Sequence, residues 1–217
     1  MRPIFLLAFF LVMFLHASGQ SHDWKLKKQT KNLKVYFRKS VDSRIDEIKI
    51  ETEMQTSLSA IIALLRDVPA QKEWMYKCIE AKRIRVISDT EGYNYGKIDF
   101  PWPMSDRDYI VKGVIKQDSI TGIVTSNLIA VPSYMKEVEG VVRIHMMEID
   151  WKFTPLPGGF IKIENHIKSD PGGAMPAWLV NLAIEQGPIQ SMDNLREMVK
   201  KDKYRNARLS FIAELRK

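Results

Sequence analysis

Asp170-Pro171-Gly172-Gly173-Ala174-Met175-Pro176-Ala177-Trp178-Leu179-Val180-Asn181, running on to Met198-Val199, decides how the rest of the chain must fold. Pro-Gly-Gly ends whatever precedes it, and Pro176 suits the first turn of a helix. Apolar residues then recur at Met175, Trp178, Leu179, Leu182, Ile189, Met192, Leu195 and Val199. Steps of three, four and seven put them on one face of a long helix. Gly187-Pro188 is expected to kink that helix, because proline removes a hydrogen bond and clashes with the preceding turn. Nearly everything upstream reads as strand. One amphipathic helix after a run of strands must lay its apolar face on the sheet. Where sheet and helix do not close completely, a cavity remains.

The chain has 217 residues, 45% of them hydrophobic, enough for one well-cored domain. Residues 1–19 are expected to be a secretory signal peptide. Arg2 gives the basic start, residues 4–15 the apolar run, and Ala17-Ser18-Gly19 a small-residue cleavage site. The apolar run is shorter than the roughly 20 residues that span a bilayer. The mature protein, a single domain over 20–217, is then exported, to a periplasm or the exterior. A lone cysteine, Cys78, excludes an intramolecular disulfide and is compatible with a bacterial periplasm.

The formal charge is +7, or +6 once Arg2 leaves with the signal (7 − 1). The excess is local. Lys25, Lys27, Lys28, Lys31, Lys34, Arg38 and Lys39 cluster near the mature N-terminus, and Lys200, Lys201, Lys203, Arg205 and Arg208 follow the long helix. Such patches suit transient contact with an anionic membrane surface or nucleic acid, the competing reading being an ordinary basic surface. Export argues against nucleic acid. A monomer is expected.

Taken in order, residues 24–29, 33–39 and 45–54 alternate polar and apolar and read as three antiparallel strands. Residues 57–67 change period: Leu58, Ile61, Ile62 and Leu65 mark a helix face. Pro69 starts a second short helix. Strands return at 78–87, 93–100, 108–117, 122–131, 141–153 and 160–169, broken by glycine, proline and Asp-Ser turns. Residues 202–217 read as a last short helix. The order is three strands, two helices, six strands and a long helix. That makes an α+β fold in which a curved antiparallel sheet holds a helix, and such a sheet can enclose a small ligand as well as side chains.

Two stretches resemble a known family. One is Asp99-Phe100-Pro101-Trp102-Pro103-Met104-Ser105-Asp106-Arg107-Asp108-Tyr109; the other is Trp151-Lys152-Phe153-Thr154-Pro155 followed by the Asp170–Asn181 segment quoted first. With Gly140-Val141-Val142-Arg143 they are similar, in order and spacing, to the START domain, the lipid-transfer fold named after the steroidogenic acute regulatory protein. The resemblance spans residues 24–199. It implies the helix-grip fold, an interior that holds one lipid or other apolar molecule, and a lid made of the 100–106 loop and the helix from Pro176. Some sterol-binding members carry an arginine in the cavity on the strand after the lid loop. Here that position falls on Gly113, so the resemblance disfavours sterol as the ligand.

Alternation sketches the pocket. With Asp150 and Lys152 facing water, Arg143, His145, Met147 and Trp151 point inward. On the next strand Ile161, Ile163, Asn165 and Ile167 form the inner face; after Asp108, Tyr109, Val111 and Ile115 do. A buried arginine is costly unless paired. The expectation is that Arg143, with His145 and Asn165, holds the polar end of an amphiphile. The competing reading is that Arg143 pairs with a structural carboxylate or is turned outward by a bulge. Trp102, Met104, Trp178 and Leu182 are lid residues on this reading, or ordinary core. No GxSxG, P-loop, GxGxxG or HExxH occurs, and His145 and His166 stand on separate strands. No metal, cofactor or catalytic residue is expected, and Asp106-Arg107-Asp108 reads as a loop salt bridge. The leading expectation is a carrier that binds and transfers or sequesters a lipid. The alternative is an enzyme of the related cyclase or hydrolase type using the same cavity.

Overall fold

The computed structural model describes residues 23–173, 179 and 186–214. The expected signal segment, Trp178, Leu182 and Leu215 lie outside the described residues. The first hairpins are β1 (Lys25–Gln29), β2 (Leu33–Arg38) and β3 (Glu47–Gln55). The alternation of β2 is seen directly, with Leu33, Val35 and Phe37 buried between more exposed neighbours. Helix α1 (Leu58–Arg66) follows. Ser57 caps it by accepting from the Ala60 amide at 3.1 Å. The Glu214 carboxylate returns from the chain's end to accept from the Leu58 and Ser59 amides at 3.0 and 2.7 Å. An anion there sits well with the positive end of the helix. Pro69 lies in a 3₁₀ turn at Val68–Ala70, and α2 (Gln71–Trp74) continues from it.

The second run is β4 (Cys78–Val86), β5 (Glu91–Ile98), β6 (Arg107–Gln117), β7 (Val124–Ala130), β8 (Val142–Arg143), β9 (Met146–Leu156) and β10 (Phe160–Asp170). The ten strands form one curved sheet; nine run in the order β1-β2-β3-β10-β9-β7-β6-β5-β4 with all neighbours antiparallel, and β8 pairs with β6 off this path. The pairing of β3 with β10 joins the first hairpins to the last strand.

Helix α3 (Gly187–Met198) lays Met192, Leu195 and Met198 on the sheet's inner face beside Phe153, Ile161 and Ile163. At about 1.5–3 kcal/mol for each fully buried large side chain, this seam is a main source of stability. Pro188 stands in the first turn of α3, where its missing N–H costs nothing. Among the described residues no helix is long and apolar enough to cross a membrane.

Two expectations need correction. Among the described residues the last helix is only α4 (Asp202–Arg205); from Asn206 to Glu214 the chain is irregular. Leu209, Phe211 and Ile212 still pack on the core, but through an extended tail pinned by Gln117, which donates to Ala213 O and accepts from Ala213 N, both at 2.8 Å. The expected strand 141–153 is also two strands. Short β8 runs parallel to β6, with Arg107 opposite Val142 and Asp108 opposite Arg143. β9 starts afresh at Met146. It breaks because β7 pairs with β6 only from Val111 onward, leaving the edge at Arg107 and Asp108 open for β8.

Candidate functional site: an apolar cavity under the C-terminal helix

Side chains directly opposite on neighbouring strands share a face. Three such rows make the floor of a cavity. Ile50, Asn165, Trp151, Ser126 and Ile115 form the first, across β3, β10, β9, β7 and β6. Ile48, Ile167, Ile149, Leu128, Gly113 and Gly92 form the second. Val111, Asn94 and Arg83 form the third, across β6, β5 and β4. Trp74 and Met75 from the α2 end, Leu179 and Met192 make the roof. Phe100, Pro101, Gly187 and Pro188 stand at one mouth. The cavity measures about 350 Å³, near the low end of the ~300–1,000 Å³ typical of small-molecule sites.

A few of its polar lining groups lack full partners. Asn165, 2% exposed, donates Nδ2 to Asp150 O at 3.2 Å. Trp74 Nε1 and Asn94 Oδ1 are buried with no hydrogen-bond partner among the described residues. Buried polar atoms are normally satisfied, so a water or a ligand group is expected at each. Tyr109 is wholly buried; its hydroxyl approaches the Met75 sulfur at 3.9 Å, and burial pushes its pKa up.

The mouth is tied down by Arg107. Its guanidinium donates to Pro171 O and Gly172 O, both at 3.3 Å, and to Ser105 O, and lies 4.3 Å over the Phe100 ring. One side chain thus fastens the 100–106 loop to the turn that leads toward α3. Asp106 accepts from the Phe100 amide at 3.2 Å and pairs with Lys97 at 2.9 Å.

Comparison with known proteins places this architecture. The family model described as START domain matches residues 10–205. The chain belongs to the START domain family. An uncharacterised protein of Pseudomonas aeruginosa is 29% identical over 181 residues, 83% of this chain and 89% of that one. The phosphatidylcholine transfer protein of Rattus norvegicus is 23% identical over 183 residues, 82% of this chain and 83% of its own. Among solved structures, a STAR-related lipid transfer protein from Xanthomonas axonopodis superposes with a TM-score of 0.75 at 28% identity, covering 82% of this chain and 99% of that one. The fold is the START helix-grip.

Within this START domain the expected site residues divide. Tyr109 and Asn165 line the cavity. Met147 is buried against Tyr109, Val111 and Ile144 just behind it. Met104 is half-buried and Trp102 is 90% exposed; Phe100 and Pro101 line the mouth instead. Trp178 and Leu182 lie outside the described residues, and their neighbour Leu179 is a buried roof residue.

Arg143 is not a ligand group. All five guanidinium N–H donors are engaged. Nε and Nη2 bind the two oxygens of Asp108, Nη1 the carbonyls of Pro132 and Met135, and Nη2 that of Lys136. The competing reading, a structural carboxylate pair, is the observed one. His145 falls at the break between β8 and β9, where alternation lapses. It is exposed, 3.2 Å from Glu137. Nor does Asp106-Arg107-Asp108 form its own salt bridge: Asp106 holds Lys97, Asp108 holds Arg143, and Arg107 holds carbonyls.

Sequence reasoning missed Arg83 and Asn94. β4 carries irregularities between Cys78 and Glu80 and between Arg83 and Arg85, so its inner face has no constant parity. The one signal was composition: Lys82-Arg83-Ile84-Arg85 is highly charged for a strand beside a cavity.

Proposed function

We infer that this START domain is a carrier: it takes one apolar or amphiphilic lipid into the cavity, holds it out of water and releases it at a membrane. The observation that carries this reading is the cavity itself, floored by Ile48, Ile50, Ile149, Ile167, Trp151 and Leu128. Such a surface gains about 0.8 kcal/mol for each methylene it removes from water, so a sixteen-carbon chain gains roughly 10 kcal/mol before the costs of ordering. The names of the Rattus norvegicus and Xanthomonas axonopodis relatives, both transfer proteins, support it. The carrier reading requires no chemical step, so no residue is assigned to catalysis.

Release requires the 100–106 loop to part from the helical side, which the Arg107 clasp opposes in the closed form. Export by a signal peptide over 1–19 and a monomeric state belong to the same proposal. The membrane-facing patch is the β1–β2 edge. Lys25, Lys27, Lys28, Lys31 and Lys34 are exposed there, whereas Lys200, Lys201, Lys203 and Arg205 each pair with a carboxylate.

Native mass spectrometry of protein purified without detergent, followed by solvent extraction, tests the reading. One lipid per chain is the expected result. A protein that emerges empty, and takes up neither hexadecanol nor hexadecanoate when offered them, would sink it.

A further inference from the structure

Arg83 presents to the cavity a cation that no carboxylate among the described residues pairs with directly. It stands opposite Asn94 in the β4–β5 register, and Asn94 stands opposite Val111, so all three face the floor. One Nη2 donor goes to Arg66 O. Among the described residues no carboxylate comes within salt-bridge distance. Those nearby are already engaged: Asp89 with Arg66 at 3.3 Å, Glu91 with Lys112 at 2.7 Å, and Asp67 with Lys203. Burial, and then the like charge of Arg66, lower the Arg83 pKa against a smaller opposing pull from Asp67. A half-buried guanidinium in this position is destabilising unless something negative joins it.

Two further features surround it. Asn94 Oδ1 is a buried orphan. Turning that amide about its last bond would put the NH₂ in the orphan's place, a second donor beside the guanidinium. The floor here also lacks side chains. Gly92 faces Gly113, and a Cβ on Gly113 would lie 3.7 Å from Leu128 and 4.0 Å from Asn94 Nδ2. Apolar rows lead away from this corner on β7, β9 and β10. An arginine fork, an adjacent amide, open floor and an apolar trough fit one kind of molecule.

We propose that Arg83 and Asn94 form the headgroup subsite of the cavity, and that the ligand is a single-chain amphiphile with an anionic carboxylate or phosphate head. The assignment rests on the carrier reading above and narrows it. Guanidinium matches both anions through paired N–H donors, and the modest cavity volume favours one chain over two.

The test is isothermal titration of the mature chain with hexadecanoate, hexadecyl phosphate and hexadecanol, with inorganic phosphate and acetate as tail-free probes. At least one anionic amphiphile binds tenfold or more tighter than hexadecanol, and the better one identifies the head. Arg83→Met abolishes that preference while hexadecanol still binds. Arg83→Lys keeps part of it. Asn94→Leu, which leaves the charge in place, reduces it several-fold and serves if Arg83→Met does not fold. Equal affinity for all three amphiphiles, or a preference that survives Arg83→Met, overturns the subsite while leaving the carrier reading standing. Tail-free anions binding as tightly as the amphiphiles overturn it in favour of a simple anion site. Failure of every ligand, hexadecanol included, removes both.

Discussion

Arg143 and Asp108 meet through two hydrogen bonds, Nε to Oδ1 at 2.6 Å and Nη2 to Oδ2 at 2.9 Å, with each side chain 1% exposed. The pair fixes β8 against β6, and through the Pro132, Met135 and Lys136 carbonyls it also fixes the loop after β7. Removing one partner strands a buried charge. Arg143→Met is therefore expected to cost about 3–5 kcal/mol in urea denaturation. The double variant Arg143→Met/Asp108→Leu should cost less than the sum of the single changes, because no lone charge remains. Ligand affinity of whatever fraction folds should be unchanged. A stability loss below 1 kcal/mol for Arg143→Met would contradict this assignment.

Gly96 separates packing from cavity space. It lies opposite Tyr109, whose ring crosses its face so closely that a Cβ would fall 2.2 Å from Cζ. Tyr109 is buried with its hydroxyl toward Met75, so the ring must leave that packing to admit a Cβ. Gly96→Ala should lose about 1–3 kcal/mol to overpacking. Gly113→Ala, whose Cβ meets nothing nearer than 3.7 Å, should be close to neutral. Comparing the two thermal midpoints checks both statements.

Much of this fold was readable because long strands keep one parity. On β10 Ile161, Ile163 and Asn165 are buried and Lys162, Glu164 and His166 more open, as simple alternation requires. β6 keeps Tyr109, Val111 and Ile115 inward for the same reason. Parity fails where pairing changes: at Ile144 and His145 the chain leaves a parallel bridge for an antiparallel one, so an inward His145 could not be read correctly. It fails again at the β4 irregularities, hiding Arg83. The partner of Arg143 was unreadable for another reason. Asp108 lies 35 residues away, and only the parallel bridge brings the two together.

Acid should destabilise the protein through identifiable carboxylates. Burial pushes the Glu47 pKa up, but hydrogen bonds from Arg38 and His166 prevail and hold it below the usual value. In Asp67 burial is likewise outweighed, by Lys203 and Tyr204. A depressed folded-state pKa contributes stability above the unfolded value of about 4, and that contribution is lost as pH falls through the folded value. Urea midpoints should therefore hold steady from pH 7 to 5 and decline below about 4. Glu47→Gln should shallow that decline. An unchanged slope in the variant would exclude Glu47 as a contributor.

Trp102 is 90% exposed at the tip of the loop whose base, Phe100 and Pro101, borders the cavity. An indole in open water gains by entering a membrane interface, where its ring is buried and its N–H stays wet. It touches little of the fold, so Trp102→Ala should change stability by no more than about 0.5 kcal/mol. Affinity for hexadecanol in solution should be unaltered, because Trp102 does not line the cavity. What should fall, several-fold, is binding to vesicles of mixed anionic and zwitterionic phospholipid, and with it the rate at which a fluorescent acyl probe passes from protein to vesicle. A variant that transfers at the wild-type rate would show that lipid leaves without this loop meeting the bilayer. The β1–β2 lysines would then be the surface to test next, with charge reversal at Lys27 and Lys31.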